Sequence, residues 1–489
     1  MACLIRLWFP VILMLCILPA CAHQAEDWRS DSAFHTPRVA QCLDLFEEMD
    51  AAVANAGAGD AQWARVPGFP YLRISRFLAS FRDEVSGAAF EDWAARMRAL
   101  DQRAREIEAA NLPGAIRTAL PLDQSTLQDC GDHVLDHDLK SERARVELRR
   151  AAHVPDHYAD WQRVLGLYPL SAPFFAWGSF SWREDAAARF NRDNAGAGTL
   201  YTPEGQAPAL GAVAAILRKA AENPLGIPDP KGAALEALFD RFAPVLAVDQ
   251  QSPADFIGTM EWRGGKAHVD TDRPVAYRLL SHARVGNRVL LQLNYVFWFP
   301  ERPSTGWFDL LAGHLDGLVW RVTLAPDGRP LIYDSIHPCG CYHMFFPVRP
   351  MQRTDKWSIW NEGAVEPGPG PEPAPGERVI IYLAARTHYI TGLETTRDFG
   401  GARYGMRPYD DLRSLPLRDG ARRSLFRPSG LVKGTGRGER FLFWPMGIAS
   451  AGAMRQWGTH ATAFVGKRHF DDPFLLVDSY DLPGRDGAP

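Results

Sequence analysis

Seven side chains between residues 314 and 388 have the types that metal binding or covalent chemistry requires: His314, Asp316, His337, Cys339, Cys341, His343 and His388. Imidazole and thiolate suit zinc or copper, and a carboxylate suits harder ions. Zinc or another divalent metal is therefore one reading of the cluster. No CxxC pair and no HExxH stands among these residues, so the spacing alone does not fix a metal. A second reading is a Cys339–Cys341 disulfide that pins a loop, with the histidines hydrogen-bonded around it. A third pairs Cys339 or Cys341 with His314 or His388 as nucleophile and base, since such pairs assemble across space. The same dithiol could instead serve thiol–disulfide exchange. The sequence assigns no catalytic residue among these readings.

Other motifs add little. Ser450 sits in IASAGA without the leading Gly of a nucleophile elbow. Gly434-Thr435-Gly436-Arg437-Gly438 is neither a dinucleotide nor a P-loop fingerprint. His133, Asp136, His137 and Asp138 read as a solvated helix entrance, and His460, His469, Asp471 and Asp472 as a polar turn.

The cluster depends on strands. In VLLQLNYVFWF, Leu291, Leu293, Tyr295, Phe297 and Phe299 alternate with Gln292, Asn294, Val296 and Trp298, the period of a β-strand. Trp320, Val322 and Leu324 alternate likewise. Asp327-Gly328 signals a hairpin turn, and Arg378 to Leu383 reads as a buried strand after the Pro/Gly loop 362–378. Before residue 165 the signals are helical. Thr36-Pro37 opens a helix that ends at a Gly. Phe90, Trp93, Met97, Leu100, Ala104 and Ile107 form a buried stripe, with Arg96, Arg98, Asp101, Arg103 and Glu106 on the solvated side. Further helices are expected over 141–152 and 449–457. The expected fold is α+β, a helical region followed by an antiparallel β-sandwich. Its parts are a signal segment at 1–21, a helical region at 22–165, a connector at 166–234 and a sandwich with a C-terminal extension at 235–489.

The N-terminus, MACLIRLWFPVILMLCILPACAHQ, reads as an export signal. Leu18-Pro19-Ala20-Cys21 resembles a bacterial lipobox, which would lipidate Cys21; ordinary cleavage after Ala22 is the alternative. Ala22 after the Cys directs such a protein to the outer membrane. In an oxidising compartment Cys42 and Cys130 pair most economically, leaving Cys339 and Cys341 to pair, bind metal or stay reduced. The net charge of -4 offers no basic field for nucleic acid.

Residues 235–390 carry a resemblance. Phe242-Ala243-Pro244-Val245-Leu246, Leu293 to Pro300, Gly313-His314-Leu315-Asp316 with Trp320 to Leu324, Asp327-Gly328-Arg329-Pro330, Ser335-Ile336-His337 and Val379 to Tyr389 come in a family's order. The segment is similar to vacuolar-protein-sorting-type and necrosis-inducing toxin-like β-sandwich domains. The resemblance implies a sandwich with a loop-formed polar pocket at one end, and it carries His314 and Asp316 over as metal-site positions. The function expected from all this is an exported, lipid-anchored cell-envelope protein with a β-sandwich binding domain. Its partners would be the membrane, through the anchor, and an envelope lipid, glycan or protein. The alternative is a metal-dependent hydrolase of an envelope substrate using the His314/Cys341 region.

Overall fold

The structure is a computed structural model that describes residues 36–190, 198–205, 210–304, 306–354 and 358–482. The signal segment and Cys21 lie outside the described residues. Helix and strand are both abundant, at 34% and 27%, which makes the fold α+β.

The first layer is helical. Helix α1 (Pro37–Ala56) starts where Thr36 Oγ1 accepts the Val39 N–H at 3.2 Å and stops at Gly57, φ 62°. Helix α2 (Gly87–Asn111) buries Phe90, Trp93, Met97 and Ile107, as its periodicity predicts. Helices α3 (Gln124–Asp138) and α4 (Glu142–Ala151) complete the layer, with a hairpin of Ala64–Val66 and Phe69–Ile74. The Cys42–Cys130 disulfide is present and joins α1 to α3 across 88 residues. A chain-entropy model gives such a loop about 4–5 kcal/mol.

Two expectations about charge do not hold here. Arg98 and Asp101, placed on the solvated side of α2, are buried. The helix is covered by both the hairpin and α3, so its charged face needs partners: Arg105 Nε donates to Asp101 at 2.8 Å, and Arg73 Nη2 to Glu108 at 2.7 Å. Asp138 is likewise buried and accepts the Tyr71 hydroxyl at 2.5 Å. A further buried pair ties this layer to the rest of the chain. Both nitrogens of the Arg413 fork lie 2.8 Å from Asp60.

The connector expected at 166–234 is part of the fold. Helix α5 (Tyr168–Arg189) contains two prolines: Pro169 falls in the first turn, where no N–H is needed, and Pro173 lies inside the helix, where it removes one backbone donor. Strand β1 (Thr199–Pro203) then enters the main sheet. Helices α6 (Leu210–Ala220) and α7 (Gly232–Phe242) follow. The remaining strands of that sheet are β2 (Val245–Val248), β3 (Val275–Val285), β4 (Arg288–Arg302), β5 (Gly313–Leu324) and β6 (Pro330–Ile336). They continue with β7 (Met344–Pro347), β8 (Arg378–Leu383), β9 (Ile390–Thr396) and β10 (Ala402–Pro408).

The sheet has ten strands in the order β7-β6-β5-β4-β3-β10-β1-β2-β8-β9. It is mixed, since β3/β10, β10/β1 and β2/β8 run parallel. The expected antiparallel two-sheet sandwich is therefore corrected to one curled mixed sheet. The reason lies in β1 and β10, which bridge strands that would otherwise sit in separate sheets. Phe346 of β7, Trp320 of β5, Tyr295 of β4 and Leu393 of β9 share one core, so the two ends of the sheet face each other. On the other face, Val296, Trp298 and Val319 pack against residues from 409 to 470. The helix expected over 449–457 is replaced by turns. Within that stretch Ser450 and Gly452 take φ of 51° and 79°, which a right-handed helix does not allow.

Candidate functional site

The predicted cluster separates into four places. His314 and Asp316 begin β5, opposite Glu301 and Phe299 of β4. Leu315 between them has φ 59°, which interrupts the side-chain alternation. His314 Nε2 lies 2.9 Å from the Ala267 carbonyl, away from the others. Asp316 is fully buried and central.

Asp316 holds a polar chain together. Its Oδ1 lies 3.1 Å from His337 Nδ1, and its Oδ2 2.8 Å from His388 Nδ1. Arg437 Nη2 approaches Oδ1 at 3.3 Å and also donates to the Leu315 carbonyl at 2.9 Å. The other edge of His388 stands 3.4 Å from Asp255. Asp255 is fixed by the Ser252–Asp255 capping box and accepts the Gln251 and Ser252 N–H groups at 2.9 Å. His388 stacks on Phe299 with centroids 3.8 Å apart.

The charges follow from this arrangement. Burial alone would raise the Asp316 carboxyl, but His337, Arg437 and His388 hold it well below the usual range. Burial would lower His388, yet Asp255 and Asp316 on its two edges raise it, which favours its charged form. For His337 burial wins over Asp316 and lowers it. Leu315, Tyr342, Arg386 and His388 all take positive φ, between 52° and 66°. Non-glycine residues rarely do so, and such strain concentrates at functional sites.

His343 belongs elsewhere. Its Nε2 lies 3.2 Å from Asp334, which also receives the Arg321 fork at 2.8 and 2.5 Å. Burial pushes its pKa down to about 4. Among the described residues no group of three or more His, Cys, Asp and Glu side chains could hold a metal ion.

Cys339 and Cys341 are free thiols, not the disulfide that was one expectation. Gly340 turns the chain at φ 90°, and backbone bonds already close the loop: Gly340 N to the His337 carbonyl at 2.8 Å, and His337 N to the Cys341 carbonyl at 3.0 Å. The Cys341 N–H points at Cys339 Sγ, 3.4 Å away. Burial would raise the Cys339 thiol, but the Cys341 hydrogen bond and Arg437 bring it below its ordinary value. Cys341, which donates that bond, is pushed well up.

Both thiols line a cavity of about 410 Å³ beneath helix α5. Phe174, Phe175 and Trp182 of α5 form its roof, and Phe443 and Phe464 a wall. Tyr342 and Tyr389 close its inner end, where Arg302 stands over both rings and donates to the Tyr389 hydroxyl at 3.1 Å. Two carboxyls reach the lining. Glu362 is held by the Ser179 hydroxyl at 3.1 Å and the Phe464 N–H at 3.0 Å, and burial raises it. The Glu439 backbone is tied in by the Leu310 carbonyl and the Phe443 N–H, at 3.1 and 2.9 Å. Burial pushes its carboxyl up to about 7, against the pull of Arg437 and Arg302. Two lining residues are apolar and exposed, Phe174 at 77% and Leu442 at 50% accessible, and their chain neighbourhoods expose Trp177 and Phe441 as well.

No family model matches the chain, and no curated protein or solved structure matches it.

Sequence reasoning missed Asp255, Arg437, Glu439 and the whole roof from α5. The capping box at Ser252–Asp255 is legible, but nothing in it points to His388. Arg437 lies in the glycine-rich run that was weighed only as a nucleotide motif, and Glu439 directly follows it. The roof lies in the stretch read as a connector.

Proposed function

We propose that this chain is an exported cell-envelope protein that binds an apolar, acyl-type ligand in the cavity beneath α5. The observation that carries the reading is the cavity itself. Its walls are mainly aromatic and aliphatic, with a few polar groups at the inner end, the usual make-up of a small-molecule pocket. Its volume lies within the range of about 300–1,000 Å³ found for such pockets. The exposed apolar side chains among and beside the lining residues support the same reading, because large apolar patches mark binding surfaces. Envelope location rests on the N-terminal signal pattern, and the lipid anchor on Cys21. Among the described residues no helix is long and apolar enough to cross a membrane. A metal-dependent hydrolase is less well supported, since His314, His343 and Asp316 point to three different surroundings.

Titration of the mature protein with dansyl-undecanoic acid tests the proposal. Saturable fluorescence enhancement, displaced better by longer alkanoic acids, is expected. No displaceable signal at micromolar protein would refute it.

A further inference from the structure

A second cavity, of about 400 Å³, opens on another part of the molecule beside α7 and the β5–β6 turn. Five arginines line it: Arg241, Arg288, Arg329, Arg349 and Arg378. Only two carboxylates, Asp327 and Glu372, share the lining, and Asp327 is taken by Arg329 Nε at 2.9 Å.

Two of these guanidinium groups are buried, each with its residue 5% exposed. Arg378 has a structural task. It donates to the Asp240 and Ala243 carbonyls at 2.5 and 3.1 Å, satisfying the C-terminal end of α7, and to the Gly205 carbonyl at 2.8 Å. Arg241 has much less. One contact, 3.4 Å to the Glu377 carbonyl, is its hydrogen bonding among the described residues. Neither arginine forms an ion pair with a carboxylate among the described residues; burial weakens the charge of both, Arg378 weakens that of Arg241 further, and Asp240 supports only that of Arg378. A buried cation without counter-charge is costly, and a guanidinium has five donors to fill. The cavity is therefore suited to an anion. Its other walls are apolar, with Phe242, Leu331, Val348 and Met351.

We propose that this cavity binds a phosphate-bearing ligand, with Arg241 as the buried fork, Arg349 at the mouth, and the apolar wall against the ligand's body. Guanidinium forks match phosphate oxygens in pairs, and several around one group favour a multiply charged anion. The phosphate comes from either a soluble metabolite or a lipid headgroup.

Calorimetry on the full chain separates these sources. The probes are glycerol 3-phosphate in chloride buffer of matched ionic strength, and vesicles of phosphatidylglycerol against phosphatidylcholine. Binding of glycerol 3-phosphate assigns a soluble ligand; selective binding of phosphatidylglycerol vesicles alone assigns a headgroup. In either case Arg241→Gln should weaken binding at least about tenfold, and Arg349→Ala severalfold. Arg349 is exposed, so its variant remains folded and readable even if Arg241→Gln does not. Absence of binding to both probes overturns the proposal, as does binding that neither variant changes.

Discussion

Asp316→Asn is expected to destabilise the protein by about 3–5 kcal/mol, the usual cost of removing one partner from a buried charge network. Asp316 is the one carboxylate that touches His337, His388 and Arg437 together. An amide cannot offset either cation, and its NH2 would face a donor. Arg437 would lose its ion pair while remaining buried. The pH dependence carries the same signature. The folded pKa of Asp316 is depressed, so its contribution is present above the unfolded value of 3.8 and is lost as pH falls through the folded value. The folded pKa of His388 is raised, so its contribution is full below 6.5 and is lost as pH rises through the folded value. Urea unfolding of the wild type should show this group's contribution as a plateau between those limits. In Asp316→Asn the acid-side loss should be smaller and overall stability lower at every pH on the plateau. Equal unfolding midpoints for the two proteins at pH 5–6 would refute the account of this network.

Gly178→Trp is expected to weaken binding of dansyl-undecanoic acid by about a hundredfold or abolish it, while leaving the fold intact. Gly178 lies on α5 and lines the cavity, and a Cβ built there meets nothing within 4 Å. Gly178 is exposed at the edge of the cavity, so an indole there can fold across the opening without displacing a neighbour. Glycine inside a helix is itself unfavourable by roughly 0.5–1 kcal/mol relative to Ala, so replacement does not harm α5. A hundredfold loss corresponds to about 2.7 kcal/mol, close to the burial of one large apolar group. Undiminished affinity, with an unchanged thermal midpoint, would place the ligand somewhere else.

The legible and illegible parts of this molecule divide along physical lines. Local signals were sufficient for α1, where Thr36, Pro37 and Gly57 mark both ends, and for the buried stripe of α2. They were also sufficient for β4, whose strict alternation survives with both faces buried. The Cys42–Cys130 pairing followed from counting cysteines and from both lying in the same N-terminal region. Sheet topology was not local. β1 and β10 pair across about 200 residues, and no pattern in Thr199–Pro203 announces this. The site was half legible for the same reason. His337, His388 and Asp316 were found by residue type, but their convergence depends on Asp255 and Arg437, which arrive from distant turns. Charged residues on α2 misled because periodicity shows which face is apolar, not whether the polar face is also covered.

The central claim is that the apolar ligand sits over the Cys339-Gly340-Cys341 loop. Alkylation by iodoacetamide, read by mass spectrometry at these two cysteines with and without saturating fatty acid, tests it most directly. Both thiols line the cavity, and Cys339 is the more readily ionised. The account predicts modification of the free protein, first at Cys339, and at least about tenfold slower modification with the acid bound. Equal rates at both cysteines under saturating ligand would contradict it.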